Sequence, residues 1–401
     1  MARFLLLYVA LYGGWGVLSP FLPAVLAARG ATAEEIGVLL AAGIAARLVA
    51  TPAIGALADR LGAPRRVLAG LLLAAAGLGL CYGAVPAGAA IPLLMLVGLA
   101  HHAATGPLGP LPDALAVRAA AAATAAGDAP APRPPRRGAF DYGVVRGAGA
   151  AAFIAGTLLA GRAVAETGSP LAALWLNAGL FAAAAGAALL LPASPPGSVG
   201  GTRVAPAAAG GGVRRLLAIP AFRKLLLVAG LISGSHALYV GFATLRWQAA
   251  GVAADTIGLF WAVAVASEVA VFLLLGRPLL ARLGPGGLSA LAAAAGVLRW
   301  AVTAETAWPP AVLLAQPLHG LTFAAQHLAA MAVMARAVPE RLSATAQSVY
   351  ASLGTGLAAA ALTLASGPLY ARFGAGAFWA MALLCAAAIP AALALRAELP
   401  R

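Results

Sequence analysis

A chain that crosses a lipid bilayer must satisfy its backbone hydrogen bonds internally, and that demand governs nearly every segment of this sequence. Cut at charges and at Gly/Pro clusters, it gives twelve apolar runs: 4–28, 34–57, 67–86, 90–117, 140–161, 170–192, 218–247, 254–275, 284–304, 308–335, 342–367 and 373–396. Each is long enough to cross about 30 Å of hydrocarbon as a helix. None alternates with a period of two, which sets a membrane β-barrel aside and predicts an all-α integral membrane protein. Composition agrees: 62% of the 401 residues are hydrophobic and 9% charged, too few charges for a water-soluble surface or for disorder. The opening run continues from Phe4 to Ala28 without a cleavage site, so it reads as a retained span and not a signal peptide. Cys81 and Cys385 lie in apolar runs and suggest neither a metal site nor a disulfide framework.

The net charge of +14 invites a nucleic-acid reading, but the basic residues lie between apolar runs and form no patch. With a cytoplasmic N-terminus, nineteen of the 26 Lys and Arg fall in inside segments, against Arg29, Arg162 and Arg372 outside. Arg47, Arg146, Arg246 and Arg299 fall within spans. Short cytoplasmic loops retain Lys and Arg, so both termini are expected in the cytoplasm, most naturally of a bacterial inner membrane. The interval 193–217, with Pro195-Pro196-Gly197 and Gly210-Gly211-Gly212, has linker composition. It divides the chain into expected six-helix bundles at 1–192 and 218–401. A second cytoplasmic connection, 119–139, is rich in Pro and Arg.

An internal repeat supports this division. Leu57-Ala58-Asp59-Arg60-Leu61-Gly62 follows the second span, Ala281-Arg282-Leu283-Gly284 the eighth, and Tyr370-Ala371-Arg372-Phe373-Gly374 the eleventh. Two parallel halves with nested repeats are the architecture of major facilitator transporters. Gly55-x-Leu57-Ala58-Asp59-Arg60-x-Gly62 with Arg65-Arg66 resembles the signature loop between helices 2 and 3 of that superfamily. The resemblance implies a gating loop of Gly55, Asp59, Arg60 and Gly62, in which the acid accepts hydrogen bonds from a neighbouring helix N-terminus and the glycines permit close contact. A basic loop that merely sets topology has the same composition.

A narrower resemblance runs from the first helix to the last. Gly37 to Arg47, Asp141-Tyr142-Gly143-Val144-Val145-Arg146, Ser235-His236-Ala237-Leu238-Tyr239, Trp247-Gln248-Ala249-Ala250-Gly251, Arg299-Trp300 and Leu318-His319-Gly320-Leu321-Thr322-Phe323 are similar to the phenylpropionate permease family. That family is related to the lactose permease group of proton symporters. The resemblance implies proton-coupled uptake of a small organic solute, such as an aromatic acid, by alternating access. It leaves sugars, nucleosides and an exporter of the same fold as alternatives.

Ionisable side chains inside a membrane are costly and usually face a bundle interior or a water-filled cavity. This chain places Arg47, Asp113, Arg146, Arg246, Glu268, Arg299 and all five histidines, His101, His102, His236, His319 and His327, in or near spans. Glu268, Arg299 and His319 on helices 8, 9 and 10 resemble the lactose permease coupling group. Position 322, where that group carries a further acid, is Thr322, which leaves Glu268 as the expected protonation site. A buried salt bridge that only fixes packing is the plainer account. Asp113 follows Gly106-Pro107-Leu108-Gly109-Pro110-Leu111-Pro112, so the fourth span must bend before it, and pairing with Arg146 would give a second proton-coupling acid or a simple end-of-helix bridge.

Gln316, His319, Phe323 and His327 advance by 3, 4 and 4 residues, and His236, Tyr239, Ala243 and Arg246 by 3, 4 and 3, so each set shares one helix stripe. Arg47, Arg146, His236, Tyr239, Phe323 and His327 are the expected solute-binding residues, rings for an apolar body and cations for an anion. Ordinary helix-packing hydrogen bonds account for a lone histidine equally well. Arg246 is expected to snorkel to the outer interface. Glycines and prolines at 13–23, and Gly354 with Gly356, suit bends or close contacts. No phosphate loop, nucleophile elbow or metal-spaced cluster is present, so a non-enzymatic secondary transporter without cofactor is expected, with a membrane-embedded sensor as the reading from another class. Its partners would be solute, protons and lipid, and a monomer suffices.

Overall fold

The computed structural model describes residues 1–88, 91–125, 141–192 and 211–398. In chain order the helices are α1 (Ala2–Leu18), α2 (Leu22–Ala28), α3 (Ala33–Leu61), α4 (Pro64–Ala84), α5 (Ile91–Thr105), α6 (Pro110–Ala125), α7 (Tyr142–Thr167) and α8 (Ala172–Leu189). They continue with α9 (Gly211–Ala218), α10 (Pro220–Gly234), α11 (His236–Ala249), α12 (Ala254–Ala270), α13 (Gly276–Glu305), α14 (Pro309–Ala315) and α15 (Leu318–Gly320). The last four are α16 (Gln326–Ala337), α17 (Ser343–Val349), α18 (Leu357–Phe373) and α19 (Phe378–Glu398). No strand occurs among the described residues.

Nine stretches among the described residues are long and apolar enough to cross a bilayer, or ten with α1 and α2 joined across their 47° bend. Two of the nine, Ala254–Glu305 and Glu340–Glu398, run 52 and 59 residues, more than two crossings need. Each is broken at a glycine with positive φ, Gly284 at 68° and Gly374 at 53°. Divided there, and with α1 and α2 joined, the described residues make the twelve expected crossings. Gly284 and Gly374 end two of the repeated sequence matches, and Gly62, at φ 59°, ends the third. The repeat recurs because a helix must stop at these points, and glycine enters this backbone region without a Cβ penalty.

Contacts divide the chain into two units, Met1–Gly30 with Ala45–Gly200, and Ala31–Ile44 with Gly201–Arg401. The first part of α3 thus packs with the second unit, where Gly37 lies against the backbone of Gly367. The connection 126–139 and most of the expected linker, 193–210, fall outside the described residues. Residues 211–217 begin α9, whose Leu216 is fully buried in the core of the second unit.

In the first unit α1 and α7 touch backbone to backbone: a Cβ on Gly16 would overlap the Phe153 carbonyl, and one on Gly156 the Gly13 carbonyl. Asn177 of α8 donates to the Gly14 carbonyl at 2.9 Å, so α8 joins the same seam. Asp141 caps α7 by accepting from the Gly143 and Val144 amides at 2.7 and 3.3 Å. In the second unit α13 and α19 make the comparable seam, with Gly286 beneath the Ala392 carbonyl. Period alone did not foretell three π turns, Val271–Leu275, Leu321–Ala325 and Tyr350–Gly356, although Gly354 and Gly356 lie in the third. Overpacking a tight core costs about 1–3 kcal/mol. Gly156→Val, which must push the α1 and α7 backbones apart, is therefore expected to lower the thermal midpoint in detergent by several degrees, while Gly147→Ala, with nothing within 4 Å of the added carbon, keeps or slightly raises it.

Candidate functional site

The second unit gathers its buried polar groups around Arg299 of α13, which is 0% exposed. Its Nη1 donates to His319 Nδ1 at 2.8 Å, and its Nη2 donates to Gln316 Oε1 at 3.3 Å. The guanidinium lies over the Tyr239 ring at 4.2 Å and the Trp300 ring at 4.6 Å. Tyr239 in turn donates its hydroxyl to Gln316 Oε1 at 2.9 Å. His319 Nε2 is 2.6 Å from Glu268 Oε1, which closes a chain from cation through imidazole to carboxylate.

The hydrogen positions are dictated by the partners. A guanidinium only donates, so His319 Nδ1 is an acceptor and the single ring hydrogen lies on Nε2, directed at Glu268. The approach that makes this possible is set by backbone: the Gly320 amide donates to Ser267 Oγ at 2.9 Å, and a Cβ on Gly320 would stand 2.5 Å from the Ser267 carbonyl oxygen. Glu268 and His319 adjoin these two touching residues, and a π turn lies just beyond each. His236 completes the group, with Nδ1 3.0 Å from the Ile232 carbonyl and Nε2 3.0 Å from Thr322 Oγ1.

Exposure rises along the Gln316 stripe. Gln316 is buried, His319 nearly so, and Phe323 is 50% exposed while its ring stacks on His319 at 5.8 Å. The π turn inserts a residue and rotates the remainder of the helix, so His327 is exposed beside Phe272 and does not continue toward Arg299. Tyr239, expected to meet solute, is enclosed by Trp247, Trp261 and Trp300. Arg246 donates to the Thr303 and Ala304 carbonyls at 2.6 and 3.0 Å and so caps the end of α13.

In the first unit Arg47, midway along α3, is exposed at its side chain and donates to Thr105 Oγ1 at 3.2 Å. His101 and His102 are buried behind it on α5. The expected Asp113–Arg146 ion pair is not formed. Asp113 accepts from the Tyr8 hydroxyl at 2.5 Å, and Arg146 lies over the Tyr12 ring at 4.7 Å. The tight 3-10 turn Gly106–Leu108 aims the start of α6 at α1, where the phenol supplies a hydrogen bond without a second charge. Sequence reasoning missed Tyr8, which is one ring in an apolar helix. In the gating motif Gly62 makes the α3–α4 turn and donates its amide to the Asp59 carbonyl at 3.2 Å. Gly55 has nothing within 4 Å of a built Cβ, so close contact is not its use here. The side chains of Asp59 and Arg60 are exposed. No cluster of three or more His, Cys, Asp or Glu among the described residues could hold a metal ion.

Residues 1–381 match the MFS_1 like family. The chain belongs to that family. It is 33% identical over 385 residues to the "Probable 3-phenylpropionic acid transporter" of Escherichia coli (strain K12), covering 96% of this chain and 94% of that one. It is also 32% identical over 175 residues to the "Maltose permease" of Geobacillus stearothermophilus, 43% of this chain and 44% of that one. A crystal structure of a variant of the nucleoside transporter NupG superimposes with a TM-score of 0.82 at 17% identity and covers 99% of both chains. This major facilitator protein is thus an integral membrane protein and a secondary transporter.

Removing one partner of a buried charged pair costs about 3–5 kcal/mol, because the other is left uncompensated. Arg299→Leu is expected to lower the unfolding free energy by about that much, whereas Tyr8→Phe, which removes one hydrogen bond to a charged acceptor, costs about 1.5–3 kcal/mol. Thermal unfolding in detergent checks the order.

Proposed function

We propose that this transporter takes up an aryl carboxylate such as 3-phenylpropionate together with a proton. The observation that carries the reading is the Arg299–His319–Glu268 chain. While it holds, Glu268 receives the His319 hydrogen as a carboxylate, and its negative charge answers that of Arg299. A proton arriving on Glu268 cancels this charge and leaves a fully buried guanidinium uncompensated. Movement of the helices that relieves this cost makes protonation and conformation one equilibrium. Asp113 is assigned a supporting place in the proton path.

The name of the Escherichia coli relative supports the solute class. Arg47 suits the carboxylate, since it is exposed at mid-span and fixed by Thr105, with Arg146 as a further cationic contact; His327, which the π turn carries off the Arg299 stripe, is not included. Phe323 offers the free face of its ring to a phenyl group. Lys and Arg distribution supports cytoplasmic termini in an inner membrane: Arg3 and Arg65, assigned to that side, donate to the Leu190 and Leu191 carbonyls at the end of α8. A monomer meets all these requirements, and the gating loop of Gly55, Asp59, Arg60 and Gly62 is assigned to the conformational change.

Reconstituted vesicles supplied with labelled 3-phenylpropionate or a sugar panel test the proposal. Inward accumulation of the aryl acid is expected under a proton gradient and is abolished by a protonophore. Glu268→Gln is expected to keep exchange and lose accumulation; normal accumulation would refute the coupling. Arg47→Gln is expected to raise KM for the acid about 10–100-fold, the effect of losing one charged hydrogen bond worth about 1.5–3 kcal/mol.

A further inference from the structure

Three contacts around Thr322 compete for too few hydrogens. His236 Nδ1 faces the Ile232 carbonyl at 3.0 Å, and a carbonyl only accepts, so Nδ1 must carry a hydrogen. In the neutral ring Nε2 is then a bare acceptor, 3.0 Å from Thr322 Oγ1. The Thr322 hydroxyl has one hydrogen, yet it also lies 3.1 Å from the His319 carbonyl. With His236 neutral, that hydrogen satisfies either Nε2 or the carbonyl and leaves the other without it. One added proton on Nε2 resolves the shortage: Nε2 donates to Oγ1, and the hydroxyl turns to the His319 carbonyl with no heavy atom displaced.

We propose that His236 and Thr322 form a second proton-holding site beside Glu268, with the proton on His236 Nε2. The inference rests on the proton-coupled reading above and adds a second station to it. The step is a simple exchange in which hydronium gives its proton to Nε2 and leaves as water.

The surroundings decide when such a proton is tolerated. Facing His236 are Arg299 and Trp300 on α13 and His319 on α15, while Tyr239 of its own helix stacks on His319. Glu268 of α12 lies beyond His319, and Cys385 of α19 reaches the adjoining Ser235. A charged His236 is thus a second cation, after Arg299, beside one carboxylate. The site fills most readily when a further negative charge is at hand, as an anionic solute supplies. Solute and proton then favour each other's binding by linkage.

Ring-15N-labelled histidine in the full chain, in lipid nanodiscs without solute and then with 3-phenylpropionate, tests this. The His236 resonances are identified by their loss in His236→Gln. With 3-phenylpropionate present, Nε2 is expected to take up a proton as pH is lowered from about 8 to about 5; without the acid the neighbouring Arg299 cation keeps the ring singly protonated. Thr322→Ser keeps the midpoint. Thr322→Val makes protonation about tenfold harder, a drop of about one pH unit, because a charge-assisted hydrogen bond lost from the cation outweighs the neutral one lost from the free ring. A His236 ring that stays singly protonated across this range with and without the acid, or Ser and Val variants that titrate alike, overturns the site. Normal accumulation by Glu268→Gln would instead overturn the coupled reading, and it leaves the histidine titration legible.

Discussion

A guanidinium in the interior of a membrane bundle sets the terms for everything around it. Arg299 cannot shed its charge, so the second unit must surround it with acceptors and ring faces. Gln316 and His319 provide the acceptors, and Tyr239 and Trp300 the faces. Glu268 then enters not as an isolated acid but as the far end of a chain whose hydrogens all point one way. In the proposed coupling, that polarity is what gives a proton on the carboxyl a mechanical meaning.

The first unit solves a similar problem with fewer charges. Asp113 is held by a phenol and Arg146 by a ring, so neither depends on the other. Arg47 is different again: its side chain donates to one hydroxyl, that of Thr105. Among the described residues it enters no ion pair.

The twelve crossings and the membrane class were legible because apolar length and charge placement are direct consequences of the bilayer. Glu268, Arg299 and His319 were legible because ionisable residues are conspicuous in oil. Tyr8 and Thr105 were not, since an occasional Tyr or Thr in a span carries no signal until a partner is seen across the helix boundary. The π turns hid for a different reason. A stripe at spacings of 3 and 4 assumes an unbroken α-helix, and the turn at Leu321–Ala325 carries His327 off the line that its spacing suggests. Gly55 shows the reverse case, in which a motif residue fits its expected pattern yet has open space beside it.

Gly320 contributes no atom to the relay, yet the separation of Glu268 and His319 depends on it. With a carbonyl oxygen 2.5 Å from where its first side-chain carbon would be, any other amino acid wedges the two segments apart. An imidazole–carboxylate gap widened by even an ångström no longer holds a hydrogen bond. Position 320 should therefore behave in a mutational scan as though it belonged to the transport chemistry, while never meeting the cargo.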